Sequence, residues 1–229
     1  MEIIIETFDE RIEDIEIYIK YLEGIDPVFM ESKLRNILIA NGYLLLYNLI
    51  EATLQSICTQ IHKTIEKENL NYESLSEPLR LVYWNSLHLE YNFKDSKKFQ
   101  TKLINIANEL LARNTVSFNK HNPIRGNVSS EKIREVAKLY GLPHTLHKNS
   151  SEDQTITNIT RKRQILAHGE DSFSSLGSEV VISDLNDQFK RTQQYLNNLI
   201  NSVDKYLRTK QYLNIKRRNS KKTSTAIVK

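Results

Sequence analysis

The sequence predicts a mainly α-helical chain, on three observations. Six Gly and four Pro in 229 residues are too few for a turn-rich β fold. Leu, Ile, Glu and Lys are abundant, and apolar residues recur at spacings of three and four over most of the chain. Cys58 is the sole cysteine, so neither an intrachain disulfide framework nor a Cys-based zinc site organises the fold. At 39% apolar and 26% charged residues, the chain can bury a substantial core.

The elements follow in order. Thr7 and Glu10 have capping-box spacing, so a first helix is expected from Thr7, with Phe8, Ile12, Ile15, Ile19 and Leu22 on its buried face. Gly24 and Pro27 end it. A long second helix is expected over 29–67, bent at Gly42 and apolar nearly all round from Tyr43 to Leu54, as befits a central helix. Ser76 caps a third helix, with Pro78 tolerated in its first turn. A fourth covers 96–112. Residues 113–128 lose the helical period and contain Pro123 and Gly126, which predicts a loop or short strand. Ser129 caps a short helix that stops at Gly141 and Pro143. A polar stretch precedes a helix over 155–168, ended by Gly169. A possible strand at 179–182 and a last helix from Ser183 to about 213 complete the body. The expected architecture is one domain over 1–213, a bundle of long antiparallel helices with an irregular insertion near 113–153. A basic, disordered tail follows at 214–229.

The net charge of +4 conceals an asymmetry. Nine of the 32 Lys and Arg fall in residues 205–229, which hold no acid; the other 204 residues carry 23 basic and 28 acidic side chains. An acidic body with a basic end is not the profile of a uniformly basic nucleic-acid binder. The N-terminus lacks a basic region followed by an apolar run, so no signal peptide is expected. The apolar run at 43–50 is far shorter than the roughly 20 residues that span a bilayer. A cytoplasmic location without membrane association is the expectation.

The segment carrying chemistry is TRKRQILAHGEDSF, residues 160–173. His168 precedes a helix-ending Gly169, among unsatisfied carbonyls at the negative end of the macrodipole, where a cationic side chain is favoured. Histidine exchanges protons near neutral pH, and Arg163 can direct two donors onto a phosphate. A proton shuttle beside a fixed guanidinium suits RNA cleavage by the 2′-hydroxyl without a metal or other cofactor. Positions 163 and 168 lie about 140° apart around a helix. A second copy of the helix across a dimer axis would complete the site. Arg161 and Lys162 are candidate phosphate contacts, as are the tail residues Lys216, Arg217, Arg218, Lys221 and Lys222. His144 and His147 lack supporting carboxylates, so no metal is expected there. His62 and His88 read as helix-surface residues, and Tyr43, Tyr47, Trp84 and Cys58 as core.

RKRQILAHG on a late helix of an all-α chain resembles the R-x4-6-H signature of the HEPN superfamily, here with four residues between Arg163 and His168. The acidic first helix, YLLLYNLIEATL, GNVSSEKIREVAKLYGL and AHGEDSF together resemble its MAE-like branch over most of 1–213. The resemblance implies a two-fold dimer placing two motifs in one cleft. It implies a metal-independent endoribonuclease, a toxin or phage-defence effector, acting on RNA and partnered by an antitoxin or defence protein. Arg163 and His168 would then be catalytic. Glu51, three residues after Asn48 in the apolar second helix, would orient one of them. The residue after the motif arginine is most often Asn, Asp or His in active members; here it is Gln164. That departure keeps open a catalytically inactive HEPN protein that binds RNA or nucleotide, or acts as a scaffold with a partner.

Overall fold

The computed structural model describes residues 1–25, 31–91, 99–112, 114–118, 124, 127–143 and 146–214, with backbone alone at 2, 3, 88–91 and 99. Among the described residues the chain is all-α. Its helices are α1 (Glu2–Gly24), α2 (Ser32–Lys67), α3 (Glu77–Tyr91), α4 (Phe99–Leu111), α5 (Ser130–Tyr140), α6 (Ser151–His168), α7 (Phe173–Ser178) and α8 (Ile182–Arg208), with a short 3-10 turn before α3. Two isolated bridges, Asn71 to Thr115 and Leu75 to Leu213, stand in place of any strand.

Several boundaries differ from expectation for local reasons. Helix α1 begins before Thr7, whose hydroxyl donates to the Ile4 carbonyl at 3.2 Å instead of capping a new helix. Helix α6 begins at Ser151 because the Ser150 side chain accepts from the Asp153 N–H, a cap the apolar pattern does not reveal. Residues 173–178 form the short helix α7, capped by Ser172, and the strand expected at 179–182 is absent. Helix α8 starts at Ile182, with Ser183 inside it. It ends at Arg208, where Lys210 takes a left-handed φ of 53° and Gln211 N–H closes on the Tyr206 carbonyl at 3.0 Å. The readings at Pro27, Phe29, Ser96, Pro123, Gly126 and His144 lie outside the described residues, as do the His88 and Tyr91 side chains and the basic tail.

The chain divides into two compact units, with boundaries inside α2, α5 and α8. The first comprises residues 1–57, 124–134 and 145–200. Its core takes Ile4, Phe8, Ile12, Ile15, Ile19 and Leu22 from α1, one residue per turn as the spacing predicts. Against them α2 buries Ile39, Tyr43, Leu46, Tyr47 and Ile50. By length and composition α2 could cross a membrane, yet 56% of its most apolar window is buried in the protein. Gly42 does not interrupt α2; it makes room for α8, since a Cβ there would sit 2.5 Å from Leu185 Cδ2. A Cβ at Gly177 would lie 1.9 Å from the Asn36 carbonyl oxygen, so α7 rests directly on the α2 backbone.

The second unit comprises residues 58–123, 135–144 and 201–229. His62 is buried in it, stacked on Phe118 at 4.2 Å and bonded to the Tyr140 hydroxyl at 2.8 Å. It is a core residue, contrary to its reading as a helix-surface one, because the Phe118 ring packs on its face and the Tyr140 hydroxyl satisfies its edge. Tyr140 is tied further by Tyr206, whose hydroxyl donates to its carbonyl at 2.9 Å. Burial pushes the Cys58 thiol up to about 12, which makes it an inert core group. Trp84 is 41% exposed on α3 and so is not core.

Candidate functional site

Helix α6 carries the basic run and the histidine. Its N-terminus is held by Asp153, which accepts from Arg134 Nη1 at 2.6 Å and from the Asn149 N–H at 2.8 Å. Burial works to raise the Asp153 carboxyl, but these hydrogen bonds and the guanidinium outweigh it and hold the group below the usual carboxylate range. Its C-terminus is closed by Gly169 at φ 67°, with Glu170 N–H on the Ile165 carbonyl at 3.0 Å. His168 is the last helical residue and is exposed.

Arg163 lies on the inward side of α6, in register with the buried Ile156, Ile159 and Leu166. It is half-buried, with its guanidinium carbon 4.7 Å from the centre of the Tyr47 ring. Lys162 repeats the arrangement one residue earlier, its ammonium 5.2 Å from the Tyr43 ring. Tyr43 and Tyr47 are one turn apart on α2, so two neighbouring rings receive two neighbouring cations. Both rings are buried, as the sequence indicates, and they also serve as platforms for cations. Tyr47 is fixed from the other end: its hydroxyl accepts the Val128 N–H at 2.9 Å, and the Val128 carbonyl accepts from Thr160 of α6 at 2.9 Å. Tyr43 accepts from Gln188 Nε2 at 2.9 Å, and burial pushes its phenol up to about 12.

Helical geometry separates the motif residues. Arg163 and His168 point about 140° apart, whereas Arg161, seven residues before His168, is only about 20° away and Gln164 about 40°. Arg161 and Gln164 line a cavity of about 270 Å³ with Ser129, Ser130, Arg134 and Thr157. With six intervening residues, Arg161 also satisfies the R-x4-6-H interval. Thus the exposed cation on the His168 side is Arg161, and the anchored one is Arg163. Glu51 is half-buried and Asn48 exposed on α2; among the described residues, no hydrogen bond or ion pair joins Glu51 to Arg163 or His168. The residues that sequence reasoning missed are Tyr47, Val128 and Thr160, which hold Arg163 in place. The one available signal was the four-residue spacing of Tyr43 and Tyr47.

A family model described as MAE_28990-like HEPN matches residues 1–212. No curated protein and no solved structure matches the chain.

Proposed function

The chain belongs to the MAE_28990-like HEPN family, and on that premise we propose that it is a metal-independent endoribonuclease of the cytoplasm acting as a homodimer. HEPN domains are usually ribonucleases or nucleotide-binding modules. One observation carries the finer reading: an exposed His168 at the closed end of α6, with Arg163 seated against the Tyr47 ring a turn and a half earlier.

In this reading a 2′-hydroxyl loses its proton to one His168 imidazole and its oxygen attacks the adjacent phosphorus. The P–O5′ bond breaks, and the leaving oxygen takes a proton from the imidazole of a second copy. The products are a 2′,3′-cyclic phosphate and a 5′-hydroxyl. Arg163 donates to the non-bridging oxygens as charge accumulates on them. Arg161 and Lys162 hold neighbouring phosphates, and Lys216, Arg217, Arg218, Lys221 and Lys222 add sequence-independent affinity. Gln164 supplies an amide beside the motif, and Glu51 and Asn48 support it from α2. Cellular roles as a toxin or phage-defence effector, with a partner protein controlling it, fit such an activity. The test is purified protein on a mixed RNA pool with chelator present. Cleavage is expected to persist with chelator and to be lost in His168→Ala and Arg163→Ala. Cleavage that requires metal and survives His168→Ala would overturn the reading.

A second reading is a HEPN module that binds RNA or nucleotide without cleaving it. The divergence of Arg163 from His168 around α6, together with Gln164, favours it. Saturable RNA binding without product ends would select it; growth arrest on expression that depends on His168 would count against it.

A further inference from the structure

A cavity of about 400 Å³ lies within the first unit, beside Lys162. One wall is a chain of hydrogen bonds: Asn158 Nδ2 donates to Gln188 Oε1 at 2.8 Å, and Gln188 Nε2 donates to the Tyr43 hydroxyl at 2.9 Å. This leaves the Asn158 carbonyl oxygen and the Tyr43 hydroxyl proton outside those two bonds. Five charged side chains surround the space: Lys162 and Arg191, and Glu179, Asp184 and Asp187. No ion pair joins any two of them. Lys162 is directed instead onto the Tyr43 ring. Among the described residues, no three acidic or histidine side chains converge as metal ligands, so the carboxylates do not form a cation cage.

Charges of both signs, four of them exposed, rim this one polar cavity and suit a ligand that presents donors on one edge and acceptors on another. Of the RNA bases, guanine alone offers two adjacent donors, N1–H and the N2 amino group, which match the two oxygens of a carboxylate. Its O6 and N7 are acceptors that a cationic side chain contacts well. Adenine and cytosine place a ring acceptor next to their amino donor, and uracil flanks its one N–H with carbonyls; each would direct a lone pair at a carboxylate.

We propose that this cavity reads a guanine base in the RNA strand, with the carboxylate of Asp184 or Asp187 accepting from both its N1–H and its N2 amino group and Arg191 donating to O6. Lys162, shared between the cavity and the basic run, then holds the adjoining phosphate. The proposal rests on the reading that the basic run of α6 meets RNA, and it turns the site into one that prefers guanine-containing sequences.

The experiment is calorimetric titration of the full chain with GMP, AMP, CMP and UMP at one ionic strength, repeated with Asp187→Asn and with Asp184→Asn/Asp187→Asn. Both carboxylates are exposed, so the variants are expected to fold. GMP should bind about tenfold tighter than AMP, as one good bidentate contact allows, and the double variant should bring the two to parity. Equal affinities in the wild type, no binding of GMP, or a preference that survives the double variant would overturn the proposal. The same panel on His168→Ala separates it from the nuclease reading. A retained GMP preference with no cleavage by the wild type removes the nuclease reading alone. Cleavage that depends on His168 without a GMP preference removes the guanine site alone.

Discussion

Tyr47 sets the position of Arg163 by its ring and its own position by its hydroxyl, and the two contributions can be separated. Tyr47→Phe keeps the ring and should lower kcat less than about fivefold, whereas Tyr47→Leu removes the platform and should lower kcat roughly tenfold or more with little change in KM. Arg161 belongs to the exposed face, so Arg161→Ala should act mainly on KM, with a shallower salt dependence of RNA binding. Steady-state kinetics on one defined oligonucleotide checks both, and a collapse of kcat in Arg161→Ala would exchange the roles of the two arginines. The arginine–histidine spacing and the terminating glycine were legible in the sequence because they fall within one short segment, residues 161–169. The ring beneath Arg163 was not, because Tyr47 is more than a hundred residues away and nothing local marks an aromatic as the seat of a distant cation. His62 was misread for the same reason: its partners Phe118 and Tyr140 come from remote segments.

At the scale of elements, the glycines and caps make sharper statements than the apolar periods do. Gly177→Ala would drive a methyl into the Asn36 backbone and should cost at least about 3 kcal/mol. Gly42→Ala meets only the end of the Leu185 side chain and gains helix propensity, so its net cost should be nearer about 1 kcal/mol. Urea denaturation followed by circular dichroism ranks the two. Asp153 ties the start of α6 to Arg134 of α5, and its carboxyl is held low in the folded state. A depressed carboxyl stabilises the fold above the unfolded value near about pH 4, and that contribution is lost as pH falls through the folded value. The wild type should therefore lose more stability than Asp153→Asn between about pH 5 and about pH 2, while the variant is weaker by about 2 kcal/mol at neutral pH. The long helices were legible through buried faces at three- and four-residue spacing, whereas α7, only six residues long, was not. The first turn of α6 was not, because its residues are polar and only the Ser150 side chain reveals the start.

For the molecule as a whole, the proposed chemistry needs two copies of α6, because Arg163 and His168 diverge on one. Specific activity should therefore fall on dilution, in step with the dimer-to-monomer transition seen by sedimentation velocity. An activity independent of protein concentration down to the monomer would remove the shared site. The division into two units follows contacts that the sequence does not mark, since no composition shift accompanies boundaries placed inside α2, α5 and α8.

The seat of Arg163 on an aromatic face has one more consequence. A carboxylate holding that guanidinium would cancel its monopole at the distances over which an incoming polyanion is attracted. A phenol ring acts through its quadrupole, which falls off steeply, so it fixes orientation while leaving the formal charge undiminished toward solvent. Lys162 on Tyr43 keeps its charge in the same way. Two rigidly held cations therefore remain available to displace condensed counterions from a strand, although the surrounding body is net acidic.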